Sequence, residues 1–197
     1  MTAYSDGVRA AADDQGRLRL PEQAMWEIFP FEPESLIVKP LDPDVLPEPP
    51  RSGEGERPCR RCSEPDTGVF WSDERWLLAT MGELRLPFAA MLMPRQHLDL
   101  GDLDDEHAAD LGRLTVLINR AVQRLPDVER CHVNKWGDGG AHLHVCFLGR
   151  PSGMLQLRGS NLALWDDMLP PVPADVAATA LRQVAAELAA IRGRVHS

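Results

Sequence analysis

The stretch that most constrains this chain is His132–Pro151, "HVNKWGDGGAHLHVCFLGRP". It reads as two strands, "RCHVNKW" and "AHLHVCFLG", joined across the turn Gly137-Asp138-Gly139-Gly140. Alternate side chains of an extended strand share a face. His142, His144 and Cys146 therefore point one way, and Leu143, Val145 and Phe147 the other. The apolar set accounts for the strand. Two imidazoles and a thiol opposite it have two readings: polar residues on a half-exposed face, or a chemical site.

The flanking pattern is α+β. "VFWSDERWLLAT" predicts two short strands around a polar turn at Ser72, Asp73 and Glu74, and "PFAAMLMP" a buried strand bounded by prolines. "DLDDEHAADLGRLTVLINRAVQRL" predicts a long helix, capped by Asp102 or Asp104, with Leu111, Leu114, Val116, Leu117 and Ile118 as its apolar stripe. A last helix is expected from about Pro173 to Arg192, with Val176, Leu181, Val184, Leu188 and Ile191 on one side. "MLQLRGSNLALW" adds a strand or a short helix, and no internal repeat is present. The expectation is an antiparallel sheet with a long helix on one face.

Three segments follow: a proline-rich N-terminal extension over residues 1–55, a core over 56–151 and a C-terminal extension with a helix over 152–197. Prolines limit the first to one short strand at Leu36–Val38. Its Trp26, Ile28, Phe29 and Phe31 suggest that it packs on the core, with "RSGEGERP" (Arg51 to Pro58) as an exposed linker.

The formal net charge of −9, with no basic run, argues against a general nucleic-acid binder and leaves room for a small phosphorylated ligand. No apolar run approaches the roughly 20 residues that cross a bilayer, so no membrane role is expected. The N-terminus has no apolar core before a cleavage site, so a cytoplasmic location is the default and the four cysteines are expected reduced.

"PCRRC" places Cys59 and Cys62 in a C-x-x-C pair. Half of a zinc site, a redox pair and accidental spacing are all open readings. The neighbouring sequence lacks the strand and helix that a thioredoxin-like pair needs.

Five segments in order resemble the histidine triad (HIT) superfamily, in the zinc-containing branch related to galactose-1-phosphate uridylyltransferase. "FWSDERWLLAT" resembles its early hairpin, "AAMLMPRQH" the strand ending in P-K/R-x-H, "LGDLDDEHAADLGRLTVLINRAV" its long helix and "HVNKWGDGG" its asparagine strand and turn. His142-Leu143-His144-Val145-Cys146-Phe147-Leu148 matches the signature H-φ-H-φ-H-φ-φ except at the third histidine, where Cys146 stands. The resemblance covers Cys59 to Arg150.

It implies a HIT-like fold and nucleotidyl transfer or hydrolysis of a nucleoside phosphate ester or phosphoramidate through a nucleotidyl-histidine intermediate. By position the nucleophile is His144. Asn134 meets the nucleotide, and the Gly139–Gly140 turn, Cys146 and Arg150 meet phosphate. The resemblance also implies a structural zinc held by Cys59, Cys62, His97 and His142, and a possible homodimer. A thiol with pKa near 8.5 is a poor general acid, so acid-assisted hydrolysis is not expected of Cys146. Two other functions fit the same residues: a nucleotide- or phosphate-binding protein that has lost catalysis, and a zinc-stapled structural or interaction module. Gln156, Arg158, Asn161 and Trp165 form a polar set on an apolar segment, with two open readings: closure over the site, or simple packing around Trp165.

Overall fold

The computed structural model describes residues 3–80 and 82–196. The chain divides between Pro49 and Pro50 into two compact units. In the first, helix α1 (Ala3–Ala10) precedes irregular chain with single 3₁₀ turns at Glu22–Met25 and Pro33–Ser35. The Arg9 guanidinium ties this unit together by donating to the Asp42 carbonyl and pairing with Asp44. The strand expected at Leu36–Val38 does not form. Pro33 opens a 3₁₀ turn just before it and Pro40 follows, leaving too little free backbone to build a ladder. Trp26 and Phe31 stay exposed, and the Phe31 ring meets Phe29 edge to face at 5.8 Å.

The second unit is built on six antiparallel strands: β1 (Val69–Ser72), β2 (Trp76–Thr80), β3 (Phe88–Pro94), β4 (Val128–Asn134), β5 (Val145–Pro151) and β6 (Arg194–Val195), in the order β4-β5-β3-β2-β1-β6. Its helices are α2 (Arg60–Ser63), α3 (Asp105–Val122), α4 (Leu162–Asp166) and α5 (Ala174–Ala189). The β1–β2 hairpin turns where the polar residues stand, with Asp73 Oδ1 accepting from the amides of Arg75 and Trp76 at 2.8 and 2.7 Å. Gly193 makes the reversal from α5 into β6. Its φ is +78°, and a Cβ there would sit 2.5 Å from the Ser72 carbonyl oxygen.

α3 and α5 pack on one face of the sheet. Trp71, Trp76, Leu78, Phe88, Leu92, Leu143, Val145 and Phe147 from below meet Leu114, Ile118, Val184 and Leu188 from above. Each fully buried apolar side chain of this size contributes about 2 kcal/mol. Asp104 is the cap of α3, accepting from the His107 amide at 2.8 Å. The buried stripe is His107, Asp110, Leu114, Ile118, Ala121 and Val122, so the one expected around Val116 is corrected: Val116 faces solvent. On α5 the buried residues are Val184, Ala185 and Leu188. Val176 and Ile191 are exposed, the second because the helix ends at Ala189.

The opposite face is shared. At one end Ala89 and Leu148 are covered by Leu84, Leu86, Leu157 and Leu162, with Trp165 against them. The segment expected as a strand or helix thus forms a 3₁₀ turn, Gly159–Asn161, and the short α4. At the other end Leu77, Ala79, Met91 and Met93 form a smaller apolar floor. The candidate site lies there.

Candidate active site and metal centre

Four side chains from three parts of the second unit converge. Cys59 caps α2 and Cys62 lies within it, His97 follows β3, and His142 follows the glycine turn. Their ligand atoms all lie within 4.8 Å of one another. Cys59 Sγ is 3.5 Å from His142 Nδ1, and Cys62 Sγ is 3.6 Å from that atom and 3.5 Å from His97 Nδ1. Zn–S and Zn–N bonds of ordinary length at a tetrahedral angle give an S···N edge of roughly 3.6 Å, so the spacing fits.

The outer contacts fit as well. His142 Nε2 donates to the Pro94 carbonyl at 2.8 Å, and His97 Nε2 donates to the Gly53 carbonyl at 3.1 Å. Each bond fixes the tautomer that leaves the Nδ1 lone pair toward the cysteines. Burial holds His142 below the usual histidine range, which favours the neutral form a metal needs. Gly53 has φ +88°, and a Cβ there would come within 2.6 Å of His97 Cε1. The donor set is that of a closed Cys₂His₂ zinc site. It joins the α2 knuckle to the ends of two sheet elements, and its role is structural.

The linker expected from Arg51 to Pro58 is corrected: its first half is not free chain. Ser52 bridges to Gly140, its amide donating to the Gly139 carbonyl at 3.2 Å and its carbonyl accepting from the Ala141 amide at 2.9 Å. Arg51 donates to the Gly137 carbonyl at 2.8 Å and pairs with Glu54 and Asp99 at 2.6 and 2.9 Å. The glycine turn is therefore held from outside by backbone and guanidinium together. No pattern in "RSGEGERP" announces this, because a single bridge has no periodicity.

His144 stands two residues beyond His142, before β5 begins at Val145. The expected strand thus starts later than the histidines, yet the alternation survives: Leu143, Val145 and Phe147 enter the core while His144 lies half-buried on the other side. His144 Nδ1 donates to the His142 carbonyl at 2.9 Å. In the neutral ring this leaves Nε2 with a free lone pair. The imidazole lines a cavity of about 530 Å³ together with Ser52, Arg60, Met91, Met93, Gly139 and Gly140.

Three expected contacts are placed differently. Asn134 and Cys146 are register partners across β4 and β5, and neither is on the cavity wall. Cys146 is buried, and burial pushes its thiol up, so it stays protonated. Arg150 lies further along β5, buried, with Nη1 lacking a partner among the described residues. Arg51, Ser52 and Arg60 are the site residues that sequence reasoning missed. For Arg60 a signal existed, since it lies between the two cysteines.

No protein-family profile and no curated protein matches the sequence. Solved structures do resemble it. A histidine triad (HIT) protein from Sinorhizobium meliloti 1021 is 17% identical with a TM-score of 0.52, the match covering 63% of this chain and 91% of that one. A histidine triad protein from Marinobacter aquaeolei VT8 is 18% identical with a TM-score of 0.51, covering 65% and 93%. A hypothetical histidine triad nucleotide-binding protein from Sulfolobus tokodaii strain 7 is 14% identical with a TM-score of 0.50, covering 68% and 93%. The likeness is one of fold. Among the described residues no helix is long and apolar enough to cross a membrane.

Proposed function

We propose that this chain, which has the histidine triad fold, binds a nucleotide in the cavity beside His144 and uses that histidine as a nucleophile toward phosphorus. One observation carries the reading: the Nδ1–H of His144 is committed to the His142 carbonyl at 2.9 Å. The other nitrogen is then unprotonated in the neutral ring and available for attack. His142, whose carbonyl accepts that bond, is itself a zinc ligand, so the metal site steadies the nucleophile without taking part in the chemistry.

In the first step the Nε2 lone pair forms a P–N bond as the P–O bond to the leaving group breaks, and the leaving oxygen departs with the bonding pair. In the second, water or another hydroxyl attacks phosphorus, the P–N pair returns to Nε2, and the acceptor's proton goes to solvent. The glycine turn, held by Arg51 and Ser52, offers backbone amides near the cavity for phosphate oxygens. Cys146, a buried neutral thiol off the cavity wall, supplies no acid assistance to the leaving group. Substrates whose leaving group is already a stable anion are therefore favoured.

The test is thermal unfolding of wild type and His144→Ala against a panel of nucleoside mono- and diphosphates. A ligand at 100 times its Kd adds about 2.7 kcal/mol. The expected result is that one nucleotide stabilises both proteins while only wild type turns substrate over. Failure of every nucleotide to stabilise wild type overturns the reading.

A further inference from the structure

The cavity beside His144 has two arginines on its wall, both from the stretch between the zinc cysteines. They are not equivalent. Arg61 Nη1 and Nη2 donate to the carbonyls of Glu64, Pro65 and Thr67 at 3.0 to 3.3 Å. Its guanidinium clasps the loop after α2 and is not available to a ligand. Arg60 makes no side-chain hydrogen bond among the described residues. Its one partner is Glu64, at 3.9 Å, and its side chain is 86% exposed. A pair of that length and exposure contributes little, so a stronger anion displaces the carboxylate readily.

The other nearby cations are engaged outside the cavity: Arg51 with Glu54 and Asp99, and Lys135 with Asp99 at 3.5 Å. Glu64 is the acidic residue on the cavity wall. Among the described residues Arg60 thus carries the one weakly held positive charge on that wall, and it rides on the helix between the two cysteine ligands.

We propose that Arg60 is the ligand-binding residue that grips the phosphate in this cavity, exchanging Glu64 for phosphate oxygens when the ligand enters. This rests on the nucleotide reading above. The planar guanidinium can meet two phosphate oxygens at once, which an ammonium cannot. Arg60 therefore selects for the phosphate of the ligand rather than for its base, and Glu64 keeps the empty site from holding weaker anions. The zinc knuckle gains a second role, as the carrier of the phosphate clamp.

Titration calorimetry at fixed ionic strength tests this with the 5′-monophosphates of the four common ribonucleosides and their unphosphorylated nucleosides, on wild type, Arg60→Gln, Arg60→Lys and Glu64→Gln. Zinc content of each protein is measured alongside, to show that the knuckle is intact. Arg60→Gln is expected to weaken the monophosphate that wild type binds about tenfold while leaving its nucleoside unchanged. Arg60→Lys falls between, and Glu64→Gln binds the monophosphate two- to threefold more tightly. If wild type binds a monophosphate and zinc-replete Arg60→Gln binds it within twofold of wild type, the assignment of Arg60 is wrong and the nucleotide reading stands. If wild type binds none of the four, both fall.

Discussion

Nε2 of His142 lies 2.8 Å from the carbonyl oxygen of Pro94, at the end of β3, and Nδ1 of the same ring lies 3.5 Å from the sulfur of Cys59. One side chain thus donates a hydrogen bond to the sheet and turns a lone pair toward the cysteine knuckle. Its own carbonyl then accepts from His144. The chain from sheet to metal to nucleophile runs through a single residue.

The metal prediction follows at once. The purified protein holds one zinc per chain, measured by inductively coupled plasma mass spectrometry. Cys59→Ser and Cys62→Ser each lose it and unfold at lower temperature. Structural zinc stabilises only the folded form, so a strong chelator lowers the melting temperature of wild type and not that of Cys59→Ser.

A second prediction concerns the clasp on the glycine turn. Arg51→Ala removes the hydrogen bond to the Gly137 carbonyl and the pair with Asp99. The turn loosens while the zinc site and core stay intact. Nucleotide affinity falls about three- to tenfold with zinc content unchanged, because binding groups are displaced without being removed. Calorimetry with metal analysis checks both.

The third prediction is one of stability against pH. Asp110 is buried on α3 and receives Arg192 Nη1 at 2.7 Å and Arg75 Nη1 at 3.2 Å. The hydrogen bond from Arg192 holds its carboxyl below the usual range, against burial, which works to raise it. A carboxyl with a depressed folded pKa contributes stability that is present above its unfolded value, near 4, and is lost as pH falls through the folded value. Asp110→Asn should cost about 1–2 kcal/mol at pH 7, because it removes the shared acceptor of two guanidinium groups, while Arg192 keeps Asp73 at 2.7 Å and Arg75 keeps Glu106. In urea titrations at pH 7 and pH 3, the gap between wild type and Asp110→Asn narrows at the lower pH.

A fourth concerns the thiols. Burial pushes Cys131 up to about 12, and burial also raises Cys146. Neither carries an appreciable thiolate fraction at pH 8. Iodoacetamide should leave both unmodified in the native protein, and chelation should expose only Cys59 and Cys62 to labelling, read by peptide mass spectrometry.

Much of this was legible in the sequence, for reasons that differ by element. The β1–β2 hairpin, β3 and α3 were readable because local periodicity, turn residues and a capping aspartate agree over each. β6 was not, since a two-residue strand has no pattern and exists only because Gly193 turns the chain back onto β1. The strand at Leu36–Val38 failed because apolar residues alone do not supply a partner. For the metal centre, the C-x-x-C spacing was visible, while convergence of His97 and His142 on it is a tertiary fact that only the family resemblance implied. Ser52 and Arg51 were invisible as site residues. Their work is a backbone bridge and a carbonyl contact, which leave no mark on residue type.

The most direct test of the central claim is intact-protein mass spectrometry after rapid acid-free quenching of wild type and His144→Ala with a turnover substrate. The substrate is chosen from the nucleotides that stabilise the fold and carries a phosphate-linked leaving group. Wild type is predicted to gain the mass of one nucleotidyl group, a nucleoside monophosphate less one water. The adduct should be labile in acid and stable in base, as a phosphoramidate is, and absent from His144→Ala. Turnover by a folded, zinc-replete His144→Ala at the wild-type rate would contradict the account.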